Sequence, residues 1–434
     1  MPDAVARSLR TLASGERLGV ALSGGRDSVA LLDASVACGV VAPDRIVAIH
    51  VHHGLSPHAD AWTAHCRSFA ASRGVASIVK HVRVAHADAH GVESAARTAR
   101  YAALREAARE CDVAAIALAH HQDDQAETLL LQLLRGAGPQ GLAAMSDDRH
   151  AHGIRWLRPL LDVDRATLDA YVRQRQLAYV DDDSNASDRH RRNALRRRIV
   201  PAIAEVFDGY PATVARAARH QAEAAQLADD LAAIDAREAV VDGSLRCEAL
   251  VALPPHRARN LLRWFLRHRG LRAPSSAHLD AMLDQLATPR IDARIRIVHD
   301  GATLGVHRGR VIVHADAPAS YRREWRGEAY LDLPHGRLAF VATDGTGIAA
   351  GVAHVLVVRP RRGGERLQLH ADRPRRALKS WLQEAGLPAW EREALPLVFD
   401  GDTLVAVPGL GVDVAYQARE GEPGYALDWR PTNR

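Results

Sequence analysis

Two short blocks of this chain concentrate side chains able to do chemistry. The first is Ser23-Gly24-Gly25-Arg26-Asp27-Ser28, which follows a short apolar run at 18–22 and opens a helical pattern. Paired glycines let the backbone turn tightly and aim its N–H groups at an anion. A helix N-terminus adds partial positive charge, and Ser23 and Ser28 add hydroxyl donors. The block lacks the Gly-Lys-Ser/Thr ending of the loop that serves γ-phosphate transfer. An ordinary glycine turn would explain the two glycines, but not the hydroxyls and the helix start around them.

The second block is His120-His121-Gln122-Asp123-Asp124-Gln125-Ala126-Glu127-Thr128, leaving an apolar run and entering a helical pattern. Asp124 and Glu127 are three apart, so on a helix they share a face. Such a carboxylate pair would hold an ammonium group or a magnesium ion. His120 is placed to transfer a proton or to orient a phosphate. An acidic first helical turn favoured by the dipole explains one or two acids, though not the histidines beside them. A dinuclear phosphoesterase built from His50, His52, His53, His120, His121, Asp123 and Asp124 is the competing reading. It leaves the 23–28 block unused, and a chain with 23 histidines brings some together by chance.

These blocks need a scaffold, and the first half supplies one. Strand patterns at 18–22, 46–51, 77–84 and 113–119 alternate with helix patterns at 29–38, 57–72, 93–110 and 122–135. Buried strands separated by helices make an α/β, doubly wound, mostly parallel sheet of Rossmann-like type. Ligands of such sheets bind beyond the C-terminal strand ends, where both blocks fall. Near residue 210 the rhythm changes to long helical patterns at 212–239, 255–268 and 276–286, with a β-rich piece at 293–313. From about 321, strands and Gly-rich turns surround one helix at 376–384. The expected organisation is therefore a catalytic domain at 1–210, a mainly helical middle domain at 211–320 and a small α+β C-terminal domain at 321–434.

Composition sets outer limits. With 47% hydrophobic and 25% charged residues over 434 positions, the chain is ordinary globular material of several domains. No apolar stretch approaches a membrane span, and the first residues lack a signal-peptide pattern, so a cytoplasmic location is expected. Cys38, Cys66, Cys111 and Cys247 are widely spaced and form no CxxC pair, which gives no disulfide or zinc framework. Apart from Lys80 and Lys379, every fixed side-chain cation is arginine. Clusters at 189–198, 257–272 and 359–376 are therefore more informative than residue identity, and each could neutralise phosphates.

The 23–28 block resembles the PP-loop of the N-type ATP pyrophosphatases, which cradle the pyrophosphate released as AMP is transferred. Along the chain it is joined by His52-His53-Gly54-Leu55, Glu93-Ser94-Ala95-Ala96-Arg97, Arg100-Tyr101 and the 120–128 block. Leu134-Arg135-Gly136-Ala137-Gly138, Arg158-Pro159-Leu160-Leu161, Asp182-Asp183-Ser184-Asn185, Arg192-Asn193 and Arg196 follow. In that order and spacing they resemble the tRNA(Ile)-lysidine synthase family almost end to end. Arg361-Arg362-Gly363-Gly364-Glu365, Leu378-Lys379 and Leu387-Pro388-Ala389-Trp390-Glu391-Arg392 resemble that family's last domain. Ser56 departs from the family's usual arginine. The 188–191 stretch, Asp-Arg-His-Arg, lacks a frequent aromatic residue.

The resemblance implies ATP- and Mg²⁺-dependent ligation of free L-lysine to C2 of the wobble cytidine of a CAU anticodon, by way of an adenylated cytidine. The modified base would pair with A, changing codon reading from AUG to AUA. It implies that Ser23, Gly24, Gly25, Arg26, Asp27 and Ser28 hold ATP, that Asp124 and Glu127 hold lysine, and that His120 and Arg100 assist phosphate and proton transfer. Asp27 and Asp123 are the candidate metal ligands. Arg192, Asn193, Arg196 and Lys379 are expected to face tRNA. Arg259, Arg263 and Arg267, spaced four apart, read equally as an acceptor-stem contact or a solvated helix face. Trp390 is expected to be packing rather than a base-stacking platform. A homodimer is compatible with these features. Other PP-loop chemistry on a small metabolite or on tRNA sulfur, and a tRNA-binding protein with a decayed nucleotide site, are the alternatives that remain.

Overall fold

The computed structural model describes every residue except 55, 83–91, 182–190, 288–294, 317–319, 353–354 and 433–434; the side chains of 92–94 are likewise outside the description. The chain divides into two compact units, Met1–Leu227 and Ala228–Arg434. The helix Tyr210–Ala239 starts at the anticipated boundary and contributes residues to both.

In the first unit a six-stranded sheet is built from β1 (Leu18–Ala21), β2 (Ile46–His52), β3 (Ala76–His81), β4 (Ala115–Ala117), β5 (Asp148–Ala151) and β6 (Ile154–Leu157). The spatial order is β3-β2-β1-β4-β6-β5, parallel throughout except for the β5–β6 pair. Helices α1 (Pro2–Leu9), α2 (Arg26–Ala37), α3 (Ala59–Ala71), α4 (Val92–Glu110), α5 (Gln122–Leu133), α6 (Pro139–Leu142) and α7 (Arg165–Gln174) complete it. Two apolar clusters carry inward side chains of the strands. One joins Leu18, Val20, Ala48 and Ala117 to Leu31 and Leu168; the other joins Val47, Ile49 and Ile116 to Leu104 and Ala107. Strands buried in this way explain why they read as nearly continuous apolar runs. The sequence reading left α1, the β5–β6 hairpin and α7 unassigned.

The strand order reverses between β1 and β4, which are hydrogen-bonded neighbours. Open parallel sheets bind ligands at that reversal, because loops leaving the two strands diverge and leave a crevice. The 23–28 loop leaves β1 and the 120–121 pair leaves β4, so the topology brings the two blocks side by side.

In the second unit, an antiparallel sheet of Val240–Val241, Ser244–Arg246, Arg310–His314, Ala302–His307 and Arg296–His299 packs with the helices Pro255–His268 and Ser276–Ala287. Leu261, Leu262, Phe265, Leu266 and Met282 fill that core. The middle region is thus helical with one sheet, two of whose strands precede the anticipated β-rich piece. C-terminal to it stand a five-stranded and a four-stranded sheet with the helix Leu378–Glu384. Trp390 lies flat on His314, with ring centroids 4.5 Å apart and planes 9° from parallel, and covers Gly305. It is a packing residue within this unit. No described helix is long and apolar enough to cross a membrane.

Candidate active site

The 23–28 loop turns at Gly24, whose φ of +88° is strained for any residue with a Cβ. A Cβ there would also lie 3.0 Å from Val180 Cγ2 and 3.1 Å from Cys66 Sγ. The Val180 N–H donates to the Gly24 carbonyl at 3.0 Å, pinning the turn from outside. Gly25 is the N-cap of α2, with no side chain occupying the helix end. The two hydroxyls are part of the loop: Ser28 Oγ lies 3.1 Å from Ser23 Oγ, donates to the Gly25 carbonyl at 2.8 Å and accepts from the Ser23 N–H. Arg26 bonds Asp27 at 2.8 Å and Asp169 of α7 at 2.6 Å. These bonds tether the start of α2.

At the end of β4, Gln122 N–H bonds the Val163 carbonyl at 3.0 Å and α5 begins. The Asp124 carboxylate reaches back to the His121 N–H at 3.1 Å, capping the helix. Gln125 is buried and exchanges bonds with Met145 at 2.8 and 2.9 Å, which fixes the first turn of α5. The His121 ring lies among three carboxylates, 3.7 Å from Asp27, 3.4 Å from Asp123 and 3.6 Å from Asp124. Burial disfavours its charge, but Asp123, Asp124 and Asp27 outweigh this and raise its pKa above the usual histidine range.

Asp124 and Glu127 do share a face, as their spacing implies, and Glu127 is only 2% exposed. Arg192 places Nε 2.8 Å from Glu127 and Nη2 2.8 Å from Asp124. Arg196 places Nε and Nη2 2.6 and 2.9 Å from the two Glu127 oxygens, with Nη2 3.3 Å from Asp124. Both come from a helical segment, Arg191–Ala194, followed by a π-helical turn at Leu195–Ile199. Four residues apart, they reach the same carboxylates. Burial raises the Asp124 pKa, yet His121 and Arg192 pull it further the other way, so it stays ionised below the usual aspartate range. Arg192 and Arg196, expected to face RNA, place their Nε and Nη2 donors on the acidic pair. Charge-assisted bonds to a nearly inaccessible carboxylate are worth more than contacts to solvated phosphates. Asn193 also has a partner within the structure.

Around this core lies a cationic wall. Burial pushes the His120 imidazole down to about 3, with Arg158, Arg192 and Arg100 adding to the effect against Asp124. Among the described residues its Nδ1 has no hydrogen-bond partner, nor has Nδ1 of His53. Arg100 has no carboxylate partner among the described residues, and burial lowers its pKa, as do Arg97 and Arg192. Arg158 is 7% exposed and donates to the Ser146 carbonyl at 2.6 Å. Sequence reasoning noted Arg158 only within a motif. Its burial next to Tyr101 and the other arginines depends on a fold contact that no local pattern reveals. Desolvated, poorly compensated guanidinia of this kind fit a phosphate.

Asp27 and Asp123 supply hard oxygen donors of the kind Mg²⁺ takes, one or two from protein and the rest from phosphates and water. Among the described residues no three His, Cys, Asp or Glu side chains converge as a ready-made metal cage. His50 Nδ1 is 2.8 Å from the Leu22 carbonyl, which fixes the orientation of its ring. The 182–185 motif, Arg189 and His190 lie outside the described residues. Arg259 pairs with Asp280 and Arg267 with Asp229, both at 2.5 Å, so two of the three stripe arginines are engaged within the second unit.

Three family models match this chain: a PP-loop domain over residues 3–203, a TilS substrate binding domain over 245–312 and a TilS substrate C-terminal domain over 356–429. A tRNA(Ile)-lysidine synthase of Ralstonia nicotianae is 42% identical, covering 95% of this chain and 92% of its own length. The chain belongs to the tRNA(Ile)-lysidine synthase family. Lysidine synthases of Nitrosomonas europaea and Burkholderia pseudomallei are 38% and 39% identical, covering 96% and 99% of this chain and 93% and 96% of their own. As a member of that family the chain is a PP-loop ligase that forms a C–N bond through adenylation. That excludes both the dinuclear phosphoesterase and the non-enzymatic binding protein.

Proposed function

We propose that this chain ligates free L-lysine to C2 of the wobble cytidine in the CAU anticodon of tRNA(Ile), consuming ATP. The observation that carries this reading is the buried Asp124–Glu127 pair beside the 23–28 loop, at the strand-order reversal of the sheet. A nucleotide-phosphate cradle and a seat for an amine share one crevice.

In the first step the cytosine O2 attacks the α-phosphorus of ATP, an O–P bond forms and pyrophosphate leaves. Backbone N–H groups of the 23–28 loop and the α2 N-terminus stabilise the departing charge. Arg100 and Arg158 supply fixed positive charge where pentacovalent phosphorus accumulates negative charge. Mg²⁺ held by Asp27 and Asp123 would neutralise phosphate charge that these donors leave over.

In the second step the ε-amine of lysine attacks C2. The C2–N bond forms, the C2–O bond breaks, and AMP leaves with the electron pair and the original O2. The amine must be neutral to attack, and its proton must go to a base. His120, held neutral by its surroundings, is a weak base, but the attacking nitrogen becomes strongly acidic as it bonds to electron-poor C2. Asp124 and Glu127 hold the amino acid by its ammonium charge.

The test is mass spectrometry of nucleosides from a CAU-anticodon tRNA(Ile) transcript incubated with enzyme, Mg²⁺, ATP and isotopically labelled lysine. Label at the wobble cytidine, dependent on ATP and accompanied by AMP, is expected. AMP and pyrophosphate without label would replace lysine by another nucleophile.

A further inference from the structure

The second unit holds a middle and a last module with separate cores. Leu261, Leu262 and Phe265 fill the first core, while Trp325, Leu338 and Leu378 belong to apolar clusters further along the chain. Among the described residues, no helix or strand of the middle module lies extensively along one of the last module. What joins them is a side-chain contact built on Trp390. The paired strands Ala302–His307 and Arg310–His314 turn Ala302, Leu304 and Val311 into the middle core. Strand alternation puts Gly305, His307 and His314 on the opposite face. That face receives Trp390 from the short helix Ala389–Ala394 of the last module. The indole stacks on His314 and stands edge-on to His307, with planes 83° apart. Under it, a Cβ at Gly305 would lie 2.7 Å from Cε3 and 2.9 Å from Cη2 of the ring. Glycine inside a strand weakens it and marks the close approach of another group. Here that group is the indole.

A second contact lies at the tip of the same hairpin. His307 Nε2 is 3.0 Å from the Gly386 carbonyl, and the Arg308 guanidinium lies over Gly386 where a Cβ would stand. Beside this contact opens a cavity of about 660 Å³ lined by Arg269, Arg308 and Arg310. Asp242 is the one acid lining it, 3.9 Å from Arg310, so positive charge there is left over. In the last module Lys379 is exposed. Each side of the joint thus offers cations to phosphates, and the joint fixes their spacing.

We propose that Trp390 is a positioning residue: seated on Gly305, it locks the last module to the middle one, so that both meet one tRNA as a single rigid surface. The choice of RNA rests on the lysine-ligation reading. A CAU anticodon also reads the methionine codon AUG, so the anticodon alone cannot select the substrate. Selection must use RNA outside it, and two cationic modules at a fixed spacing can measure that RNA. A loose joint lowers the effective concentration of the second module once the first has bound. It also lets the pair follow RNAs whose phosphates fall elsewhere, which erodes specificity.

The test uses the full-length enzyme with ATP, Mg²⁺, lysine and two CAU-anticodon transcripts, tRNA(Ile) and tRNA(Met). It measures tRNA affinity by filter binding, beside kcat and KM. W390A should weaken tRNA(Ile) binding about 10-fold and narrow the preference over tRNA(Met) by about as much. Its kcat at saturating tRNA, and its KM for lysine and ATP, should stay within about 2-fold of wild type. W390F, which keeps a flat ring, should restore most of the loss. G305A drives the ring off its seat and should behave as W390A does, while the double variant should be no worse than W390A alone. Additive losses in the double variant would overturn the proposal, because the methyl group would then act without the ring. So would W390A with wild-type affinity and preference, or W390A whose lysine KM rises in step with its tRNA KM. Wild type that binds tRNA yet forms no lysine adduct would sink the ligation reading, and the binding data alone would then decide the joint.

Discussion

Arg196 lies across Glu127 as a two-pronged fork, Nε 2.6 Å from Oε1 and Nη2 2.9 Å from Oε2, although the residues are 69 apart in sequence. Glu127 is nearly inaccessible, so water screens its charge far less than that of a surface carboxylate. Removing the acid leaves two guanidinia facing each other and deletes the ammonium seat. Glu127→Gln, and more severely Asp124→Ala, should therefore lower lysine incorporation by about 100-fold or more. A single turnover of pyrophosphate release should persist, because the 23–28 loop is untouched. Rapid-quench assay of both products checks this. Near-normal lysine incorporation by Asp124→Ala would remove that residue from the mechanism.

Gly24→Ala isolates the nucleotide loop. The left-handed conformation costs a residue with a Cβ about 1–2 kcal/mol. The methyl group must also displace Val180 or Cys66, which stand 3.0 and 3.1 Å from its position. The loop can relieve this only by reaiming its N–H groups. ATP affinity should fall at least about 10-fold while the melting temperature moves by only a few degrees. Titration calorimetry with a non-hydrolysable nucleotide, beside a thermal scan, separates the two effects.

The sequence displayed the sheet well because its central strands β1, β2 and β4 are buried and its helices keep period 3.6; the runs at 46–51 and 255–268 fall almost on the observed Ile46–His52 and Pro255–His268. It displayed the β5–β6 hairpin and α7 poorly. Strand β5 is half-exposed and only four residues long, so it leaves almost no period to detect. At the site, Asp124 and Glu127 were legible because helical spacing is local. Arg192 and Arg196 were marked out by the family resemblance, but their pairing with the acids was not legible, because it depends on a chain return of more than sixty residues. Arg158 and Val180 escaped for the same reason: each acts through a tertiary contact, to Ser146 and to Gly24.

Beneath the nucleotide loop, α2 is tied to α7 and α3 by Asp33, which is 1% exposed and accepts bonds from Tyr171 at 2.7 Å, Arg73 at 2.8 Å and Arg175 at 3.0 Å. Burial alone would raise the Asp33 pKa, but bonds from Arg175, Tyr171 and Arg73 outweigh it, leaving the pKa below the ordinary value. A depressed folded pKa gives stability that is fully present above the unfolded value, about 4, and is lost as pH falls through the folded one. Asp33→Asn should thus cost about 3 kcal/mol near pH 7. The gap to wild type should narrow below about pH 4, as wild type loses the same charge. Denaturant unfolding at pH 7 and pH 3 checks both. An equal gap at the two values would mean that lost packing, and not lost charge, is responsible.

In the C-terminal part, the basic stretch at 359–376 is less available to RNA than its composition suggests. Arg375 pairs with Asp413 at 2.9 Å, Arg376 with Glu384 at 2.5 Å and Arg361 with Glu365 at 3.5 Å. Lys379, the second residue of the helix Leu378–Glu384, is exposed and has no ion pair among the described residues. It costs nothing to redirect toward a phosphate, whereas each paired arginine must first abandon an acid. Lys379→Ala should therefore weaken tRNA binding about equally for matched and mismatched transcripts, and reduce the slope of log affinity against log salt by about 1. The lysine KM at saturating tRNA should not change, since Asp124 and Glu127 take their charge-assisted bonds from Arg192 and Arg196 of the first unit. Filter binding across a salt series measures the slope; an unchanged slope would assign the RNA contact to other cations of this unit.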